Sequence, residues 1–549
     1  MADRWYRQAV IYCLDVETFQ DSDGDGVGDL QGLIGRLDHL ARLGVTCLWL
    51  NPVHPSPRRD AGYDVTDHYG IDPRIGTLGD FAELVHQADN RGLRIMLDLV
   101  VNHTSDQHPW FQSARRSRRS PHRDWYVWSD TEPADRRQGM VFPGEQEETW
   151  TWDDVAGAWY YHRFFAFQPD LNTANPAVQA ELERIVDFWL SLGVSGFRMD
   201  AAPFVIERTE PDDPDGRKDF DQLTRYRERI SWRRGDAVVL AEANVPDDEL
   251  PRYLGDSGGS NNRLHMLFDF VLSVNCLLAL ARSQAAPVVR ALASQPPIPH
   301  HAQWATFLRN HDEVDLSRLS PEEMAECFAA FGPDPDVQLY GRGIRRRLAP
   351  MLGGDQTRLQ LAYSLQFSLP GTPVLRYGEE IGMGEDLSLP DRESLRTPMQ
   401  WSTAAHGGFT TADEPVRPVL ADGPYGYPSL NVTAQRRDPD SLLRWFEHMV
   451  HTLRECPEVG SGTCTPIPVE HPAVLVHRMD AAQGTLLFLH NLGGQDVRVD
   501  VGPQPEQDGD PVEVFADRGY APPSAALTGL ELAGCGYRWI RLRRALRTG

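Results

Sequence analysis

The chain has 549 residues, of which 41% are hydrophobic and 24% are charged, and its formal net charge is −25. This composition is ordinary for a globular protein, and the length predicts roughly two or three domains. The charge disfavours nucleic acid and anionic membranes as partners, and no apolar stretch approaches the ~20 residues of a membrane helix. The amino terminus also lacks the apolar core of a signal peptide. We therefore expect a cytoplasmic protein that acts on a small neutral or cationic ligand, either as a monomer or as a homo-oligomer.

The first motif along the chain is the acidic loop DSDGDGVGD. Its residues Asp21, Asp23 and Asp25 alternate, as carboxylates do at the start of a calcium-binding EF-hand loop. The twelfth position, where an EF-hand has a bidentate Glu, is Gly32, so an EF-hand is excluded. The residues alone leave two interpretations open, a separate oxygen-ligand metal site and a solvated Asp/Gly turn.

Short apolar runs alternate with amphipathic helical stretches through most of the chain, which is typical of repeated βα units. The predicted strands are Val10–Val16, Thr46–Asn51, Arg94–Val101, Gly196–Asp200, Ala237–Ala241, His265–Phe270, Trp304–Leu308 and Pro373–Arg376. Eight such strands close a (β/α)₈ TIM barrel, so the predicted fold class is α/β.

The spacing of these strands also predicts the domains. The gap between the third and fourth strands is too long for one helix, and it predicts a small inserted domain over residues 104–171. The catalytic barrel would then consist of residues 1–103 and 172–456. Alternating strand patterns follow it, and they predict a C-terminal antiparallel β-sandwich over residues 457–549.

Polar residues interrupt the apolar runs where four of the predicted strands end. They are Asp98 and His103 on the third strand, Arg198 and Asp200 on the fourth, Glu242 on the fifth, and His311 and Asp312 on the seventh. A single acid in such a place is more often structural, because it caps a helix or pairs with a cation. Several acids at one barrel mouth cost electrostatic energy, and they indicate an active site.

The carboxyl groups suit glycoside chemistry, in which one acid is the nucleophile and another is the proton donor. Arg198 lies on the same strand face as Asp200 and favours its ionised form, so Asp200 is the candidate nucleophile. Glu242 lies between apolar runs, which favour the protonated form, so it is the candidate acid. His103 and His311 can donate hydrogen bonds to sugar hydroxyls, although a single His is more often structural.

The stretches DLVVNH, GFRMD, LAEAN and FLRNHD, with QPDLN before the fourth strand, resemble the signature regions of glycoside hydrolase family 13, the α-amylase family. Their order and spacing match over residues 5–455. The resemblance implies that Asp200 is the nucleophile, Glu242 the acid/base and Asp312 a third carboxylate that binds two substrate hydroxyls. It also implies supporting or substrate-binding roles for Asp98, His103, Gln168, Arg198 and His311.

Two further features resemble this family. Tyr63 matches the aromatic platform under the −1 glucose, and Asp60 with Arg392 matches a pair that holds the non-reducing end and makes such enzymes exo-acting. In the branch with oligosaccharide α-glucosidases and trehalose synthases, a DxDxDGxGD loop binds calcium or magnesium. The metal ligands implied for a structural Ca²⁺ or Mg²⁺ are Asp21, Asp23, Asp25, Asp29 and the Val27 carbonyl.

Long stretches such as WYYHRFFAFQPDLN and DRESLRTPMQW most resemble members of this branch that isomerise maltose and trehalose. The expected activity is therefore retaining α-glucosyl transfer within a disaccharide, with no organic cofactor. The first alternative is a hydrolytic, exo-acting α-glucosidase on short α-glucosides. A second alternative, a catalytically inactive amylase-like structural protein, would lack the carboxylate triad and carry a membrane anchor, and neither feature is seen in this sequence.

Overall fold

The computed structural model describes residues 4–210, 213–255, 262–505 and 510–542. Its centre is a closed barrel of eight parallel strands, numbered here in chain order, and each strand pairs with the next. They are β1 Ile11–Leu14, β2 Cys47–Leu50, β3 Arg94–Leu99, β4 Gly196–Met199, β5 Val238–Ala241, β6 Met266–Phe268, β7 Gln303–Thr306 and β8 Thr372–Arg376. All eight predicted strands are confirmed, and their ends differ from the predicted ones by at most two residues.

Helices surround the barrel and form most of the connections between its strands. Their bounds are Leu30–Leu43, Leu78–Asp89, Pro109–Arg116, Pro176–Ser191, Ala202–Val205, Asp221–Arg233, Leu250–Leu254, Phe270–Arg282, Ala286–Ser294, Pro321–Phe331, Leu348–Met351, Gln356–Ser368, Val432–Arg437, Leu442–Arg454 and Pro457–Ser461. In the described part of the chain, none of them is long and apolar enough to cross a bilayer.

The first long helix shows how the sequence sets these elements. The Asp29 side chain accepts a hydrogen bond from the Gly32 amide and caps the helix at its start. Buried leucines at positions 33, 37 and 40 form one apolar face against the barrel. Gly44, with φ 92°, ends the helix in the left-handed region, which glycine adopts without steric cost.

The barrel strands are buried on both faces. Trp49, Met96 and Leu240 belong to the apolar cluster that fills the barrel, while the alternate residues pack against the helices. Such double burial produces continuous apolar runs in the sequence. A polar residue at the end of one of these strands therefore has to be explained by hydrogen bonding or by function.

Residues 104–171, predicted as an inserted domain, lie between β3 and β4. This segment leaves and rejoins the barrel rim at one point, because His103 and Asp170 pair in an antiparallel bridge. It contains the helix Pro109–Arg116 and an antiparallel sheet of Trp128–Ser129, Trp150–Asp153 and Ala158–Tyr161. Phe111 stacks on Trp128 with ring centroids 5.6 Å apart and belongs to the same buried cluster as the barrel residues, so the aromatic core of the insertion is continuous with the barrel core.

The C-terminal region begins with a short helix, Pro457–Ser461, so the first five residues of the predicted β-domain are helical. One antiparallel sheet follows, with strands Thr463–Ile467, Val474–Asp480, Thr485–Asn491, Tyr537–Leu542 and Val512–Ala516 in spatial order. A smaller sheet pairs Val497–Val499 with Leu530–Leu532, and apolar residues of both sheets share one buried cluster. The predicted β-domain extends to residue 549, and its residues 506–509 and 543–549 lie outside the described residues.

The opposite face of the large sheet packs on the barrel helix Gln356–Ser368. The Trp539 indole donates to the Ser364 hydroxyl at 2.9 Å, and His490 Nε2 lies 3.1 Å from the same oxygen. His477 Nε2 lies 2.9 Å from the Ser368 carbonyl oxygen. Both histidines are fully buried, and burial lowers the pKa of His477 to about 4.

This burial predicts an acid-sensitive attachment of the C-terminal domain. The unfolded chain binds a proton at His477 from about pH 6.5 downward, whereas the folded chain does so only near pH 4. Between those pH values the protein should therefore lose ~3 kcal/mol of unfolding free energy through His477. Denaturant unfolding of the wild type and of His477→Gln, measured from pH 7 to pH 4, checks this: the variant should lose less stability on acidification, and parallel pH curves would contradict it.

Candidate active site

Arg198, on β4, lies at the centre of the barrel mouth and is fully buried. Its Nη1 donates to Asp98 Oδ1 at 2.8 Å and to Asp200 Oδ1 at 2.6 Å, and its Nη2 donates to Glu242 Oε2. Three strands bring these groups together, because Asp98 is part of β3, Asp200 directly follows β4, and Glu242 directly follows β5. One guanidinium thus contacts three of the predicted carboxylates.

Below this group, Asp98 is held by two further donors. Trp49 Nε1 donates to its Oδ2 at 3.0 Å, and the Tyr63 hydroxyl donates to the same oxygen at 3.2 Å. The Tyr63 hydroxyl also lies 2.8 Å from His311 Nε2, and the two rings stack with centroids 5.7 Å apart. Asp98 therefore fixes the platform tyrosine from beneath.

The third predicted carboxylate, Asp312, faces the same mouth from the end of β7. Its Oδ1 accepts from Arg392 at 2.8 Å and from Arg396 at 3.1 Å, and its Oδ2 lies 3.0 Å from His311 Nε2. Arg392 also donates to Asp60 Oδ1 at 2.9 Å. The predicted Asp60–Arg392 pair is therefore formed, and it is joined directly to Asp312.

Gln168 completes the ring of contacts around the mouth. Its amide donates to Asp60 Oδ2 at 3.0 Å and lies 3.3 Å from His103 Nε2, which itself lies 3.2 Å from the Tyr63 carbonyl oxygen. The structure thus joins all eleven predicted catalytic, substrate-binding and supporting residues in one hydrogen-bonded network. Their individual roles stay predictions.

Two members of the network were missed by the sequence analysis. Trp49 lies inside an apolar strand and shows no polar signal, although its indole holds Asp98. Arg396 is one of many arginines, and its contact with Asp312 depends on a loop that folds back over 84 residues. A search for arginines near the predicted Arg392 would have drawn attention to Arg396.

The environments of these acids differ in the way that acid–base chemistry needs. Burial, together with the nearby charges of Asp200 and Asp312, raises the pKa of Glu242 to about 7, although Arg198 opposes this. The Glu242 side chain is 33% exposed, and that surface lines the pocket. Glu242 is therefore partly protonated near neutral pH.

Asp312 is shifted in the opposite direction. Burial favours its neutral form, but its cationic neighbours hold the pKa well below its usual range. Burial also lowers the pKa of His311 to about 3, so this histidine is neutral near pH 7 and contributes a hydrogen bond. The hydrogen-bonded His311 and the positive charges of Arg392 and Arg396 together keep Asp312 ionised.

The backbone after Asp200 is strained. Ala201 has φ 47° and ψ 40°, in the left-handed region, which costs a non-glycine residue ~1–2 kcal/mol. The next amide, of Ala202, donates to the Glu242 carbonyl oxygen at 3.1 Å. This turn ties the end of β4 to the end of β5, and so positions the two candidate reacting carboxylates relative to each other.

A cavity of about 470 Å³ opens onto these residues, within the ~300–1,000 Å³ typical of ligand sites. The insertion covers part of it. Phe142 packs on Tyr340 with ring centroids 5.1 Å apart and lies 5.1 Å from the Arg392 guanidinium carbon. Arg342 donates to the Val141 carbonyl at 2.8 Å. This hydrogen bond attaches Val141 and Phe142, which are called the cover below, to the opposite rim of the cavity.

The acidic loop lies outside the cavity. Carboxylate oxygens of Asp21, Asp23 and Asp29 lie within 4.8 Å of one another, an all-oxygen donor set that suits a hard cation. Asp25 is not part of this group, and its Oδ1 accepts from the Val27 amide at 2.7 Å. The predicted ligand roles of Asp25 and the Val27 carbonyl stay predictions.

Comparison with known proteins identifies the family. The α-amylase catalytic-domain profile matches residues 13–325 and 345–460. The chain belongs to the α-amylase family. It is 40% identical over 544 residues to the trehalose synthase/amylase TreS of Mycobacterium tuberculosis, covering 98% of this chain and 90% of that one. It is 38% identical over 556 residues to the trehalose synthase of Pimelobacter sp., covering 99% and 97%.

Solved structures of this family have the same architecture. The α-amylase from H. orenii superposes with a TM-score of 0.79 at 27% identity, over 97% of this chain and 99% of that one. The trehalulose synthase MutB from Pseudomonas mesoacidophila superposes with a TM-score of 0.78 at 25% identity, over 98% and 99%. An α-amylase-family barrel with an intact set of three mouth carboxylates is able to carry out glycosyl transfer by acid–base chemistry.

The raised pKa of Glu242 predicts the pH dependence of this α-amylase-family enzyme. Its acid is lost as pH rises through about 7, so kcat/KM for a glucoside should fall about tenfold per unit at higher pH. Measurements from pH 5 to pH 9 on maltose and on α-glucosyl fluoride test this. Fluoride needs no proton when it leaves, so kcat/KM for α-glucosyl fluoride should fall less steeply at high pH. In Glu242→Gln this fall in kcat/KM should disappear.

If kcat/KM of Glu242→Gln still fell at high pH as it does in the wild type, a group other than Glu242 would be responsible for the pH dependence.

Proposed function

We propose that this protein interconverts maltose and trehalose by retaining α-glucosyl transfer through a covalent glucosyl-enzyme. The observation that carries the proposal is the single network in which Arg198 joins Asp200 to Glu242 while Arg392 joins Asp312 to Asp60. The similarity to trehalose synthases over almost the entire chain supports the same substrates.

In the first step, Asp200 attacks the anomeric carbon of the bound glucosyl unit while Glu242 donates its proton to the leaving oxygen. Arg198 favours the ionised nucleophile, and burial favours the protonated acid. Glucose is released with its anomeric hydroxyl free. In the second step, Glu242 takes the proton of that hydroxyl as its oxygen attacks the glucosyl-enzyme, and two inversions retain the α configuration.

The remaining contacts set where the substrate can lie. The Asp60–Arg392 pair closes the end of the pocket beyond the first glucose and blocks longer chains there. Ionised Asp312 presents acceptor oxygens to sugar hydroxyls, and Tyr63 presents its ring face. The Phe142 cover limits the access of water to the glucosyl-enzyme, which an isomerase needs more than a hydrolase does.

The alternative is a hydrolytic α-glucosidase, in which water attacks the same intermediate. A "Probable alpha-glucosidase" of Rhizobium meliloti is 33% identical over 492 residues, so the same framework occurs in proteins described as glucosidases. The two activities differ in how long the released glucose stays in the pocket. The cover contacts between Phe142 and Tyr340 and between Arg342 and Val141 favour retention.

Incubation of the protein with maltose tests the proposal through its products. We expect trehalose as the major product, free glucose as a minor one, and little incorporation of added labelled glucose, because the released glucose turns within the covered pocket. Asp200→Asn should give neither product. If free glucose dominated from the first turnovers without trehalose, the α-glucosidase interpretation would replace this one.

A variant of the cover sharpens this test. Phe142→Ala removes the ring between Tyr340 and Arg392, and it should raise the ratio of glucose to trehalose severalfold, because water reaches the intermediate more easily. Trp152→Ala, on the exposed side of the same insertion, is the matched control and should leave the ratio unchanged.

We also propose that the acidic loop binds a structural Ca²⁺ or Mg²⁺. The donor set of Asp21, Asp23 and Asp29 supports a hard cation, since it offers only oxygen atoms. The loop is tied to a distant segment, because the Thr410 hydroxyl donates to Asp21 Oδ2 and the Val416 amide donates to the Gly26 carbonyl. A bound cation would therefore stabilise the contact between these segments and take no part in catalysis.

Removal of the metal should lower Tm and leave the pH dependence of turnover unchanged, because a ligand bound only by the folded state adds to stability. Elemental analysis and thermal unfolding with and without a chelator measure this. Asp23→Asn is the matched variant, since its side chain is exposed and Asn retains the oxygen that accepts from the Asp25 amide. It should bind less metal and lose the response to chelator. A wild-type protein without metal, and with the same Tm in chelator, would make the loop a plain turn.

A further inference from the structure

A second cavity, of about 160 Å³, lies away from the active site on the outside of the barrel. Its lining comes from three separate segments of the chain: Arg36, His39, Trp401, Val432, Thr433, Arg436 and Arg437. Among the described residues, no carboxylate lines this cavity, although three arginines do. The lining of this cavity is therefore positively charged, whereas the chain as a whole has a net charge of −25.

The arginines are held in place without being neutralised. Arg36 lies over the Trp401 ring at 4.2 Å and donates through Nε to Gln20 Oε1 at 2.7 Å, and that amide carries no charge. Arg436 Nη2 donates to His39 Nδ1 at 2.8 Å. In the described part of the chain, Arg437 forms no ion pair. The guanidinium groups of Arg36 and Arg436 are thus oriented by neutral partners, while Arg437 is exposed.

Two acids, Glu380 and Glu447, act on this region without lining the cavity. Because His39 accepts from Arg436 at Nδ1, its Nε2 carries the proton and donates to Glu380 Oε1 at 3.1 Å. Glu380 is fully buried. Glu447, which acts on Arg436 electrostatically, is bound by Arg444 through Oε2, and its Oε1 is buried and has no hydrogen-bond partner among the described residues.

The cavity also has unused hydrogen-bond donors. Arg436 Nε is buried and, within the described residues, has no hydrogen-bond partner. Burial, and then the charge of Arg436, lower the pKa of Arg36, so the two cations repel each other. A group of like charges costs free energy, and an oxyanion in the cavity would relieve this cost.

We propose that this cavity, lined by Arg36, Arg436 and Arg437, binds the phosphate group of a small phosphate monoester. A doubly charged tetrahedral oxyanion matches a cavity lined by three arginines better than a monovalent carboxylate does. This site is independent of the proposed maltose–trehalose activity.

Isothermal titration of the full-length protein with glucose 6-phosphate, inorganic phosphate and chloride, at one ionic strength, tests this proposal. We expect saturable binding of the two phosphates at one site per chain and none of chloride. If glucose 6-phosphate binds more tightly than inorganic phosphate, the ligand is a phosphate monoester. If the two bind equally, the cavity recognises the phosphate group alone. No saturable binding of either, or equal binding of chloride, would overturn the proposal.

Variants locate the binding. Arg436→Gln should weaken phosphate binding at least tenfold and leave maltose turnover unchanged. Arg119→Gln, which removes an exposed arginine of the insertion, is the matched control and should bind as the wild type does. If Arg436→Gln lowers Tm, Arg437→Gln supplies the same test, because among the described residues Arg437 forms no ion pair that the substitution would break. Wild-type affinity in a folded Arg436→Gln or Arg437→Gln variant would exclude this cavity as the site.

Discussion

The ion pairs of Arg198 are the interactions on which the rest of the site depends. Its guanidinium is buried and contacts the carboxylates of Asp98, Asp200 and Glu242. Removing one partner of a buried ion pair costs ~3–5 kcal/mol, since a charge is then left without compensation. Here a single cation balances three acids, so its loss would leave three carboxylates to repel one another. Burial raises the pKa of Glu242, and the charges of Asp200 and Asp312 raise it further, although Arg198 opposes this.

The sequence predicted the barrel and the residues of its mouth for one physical reason. Strands buried on both faces are apolar throughout, so Asp200 and Glu242 stand out where their strands end. The parts it missed depend on contacts between distant segments. Trp49 is indistinguishable from a core residue until its indole is seen to hold Asp98, and Arg396 reaches Asp312 only after a loop folds back. The arginine-lined cavity was not predicted, because its residues come from three segments that pattern analysis treats separately.

The insertion and the barrel contribute different parts of one function. The barrel fixes the carboxylates through short strands and the strained turn at Ala201, and its packing resists change. The aromatic residues of the insertion, such as Phe111, belong to the same buried cluster as the residues packed around the barrel. The insertion reaches the mouth through Val141 and Phe142. The part of the chain that covers the mouth is therefore anchored to the core that also holds the candidate reacting groups.

Closure and chemistry nevertheless share one residue. Arg392 donates to Asp60 at the closed end of the pocket and to Asp312 beside the reacting groups, while the Phe142 ring lies near its guanidinium. Its position is set by two carboxylates and by the cover together. A displacement of the cover thus reaches Asp312 through one side chain, and with it the charge that faces the substrate hydroxyls. In the proposed mechanism, the Asp60–Arg392 pair, the ring of Phe142 and Asp312 would respond to one another, and this would couple the choice of substrate to the fate of the glucosyl-enzyme.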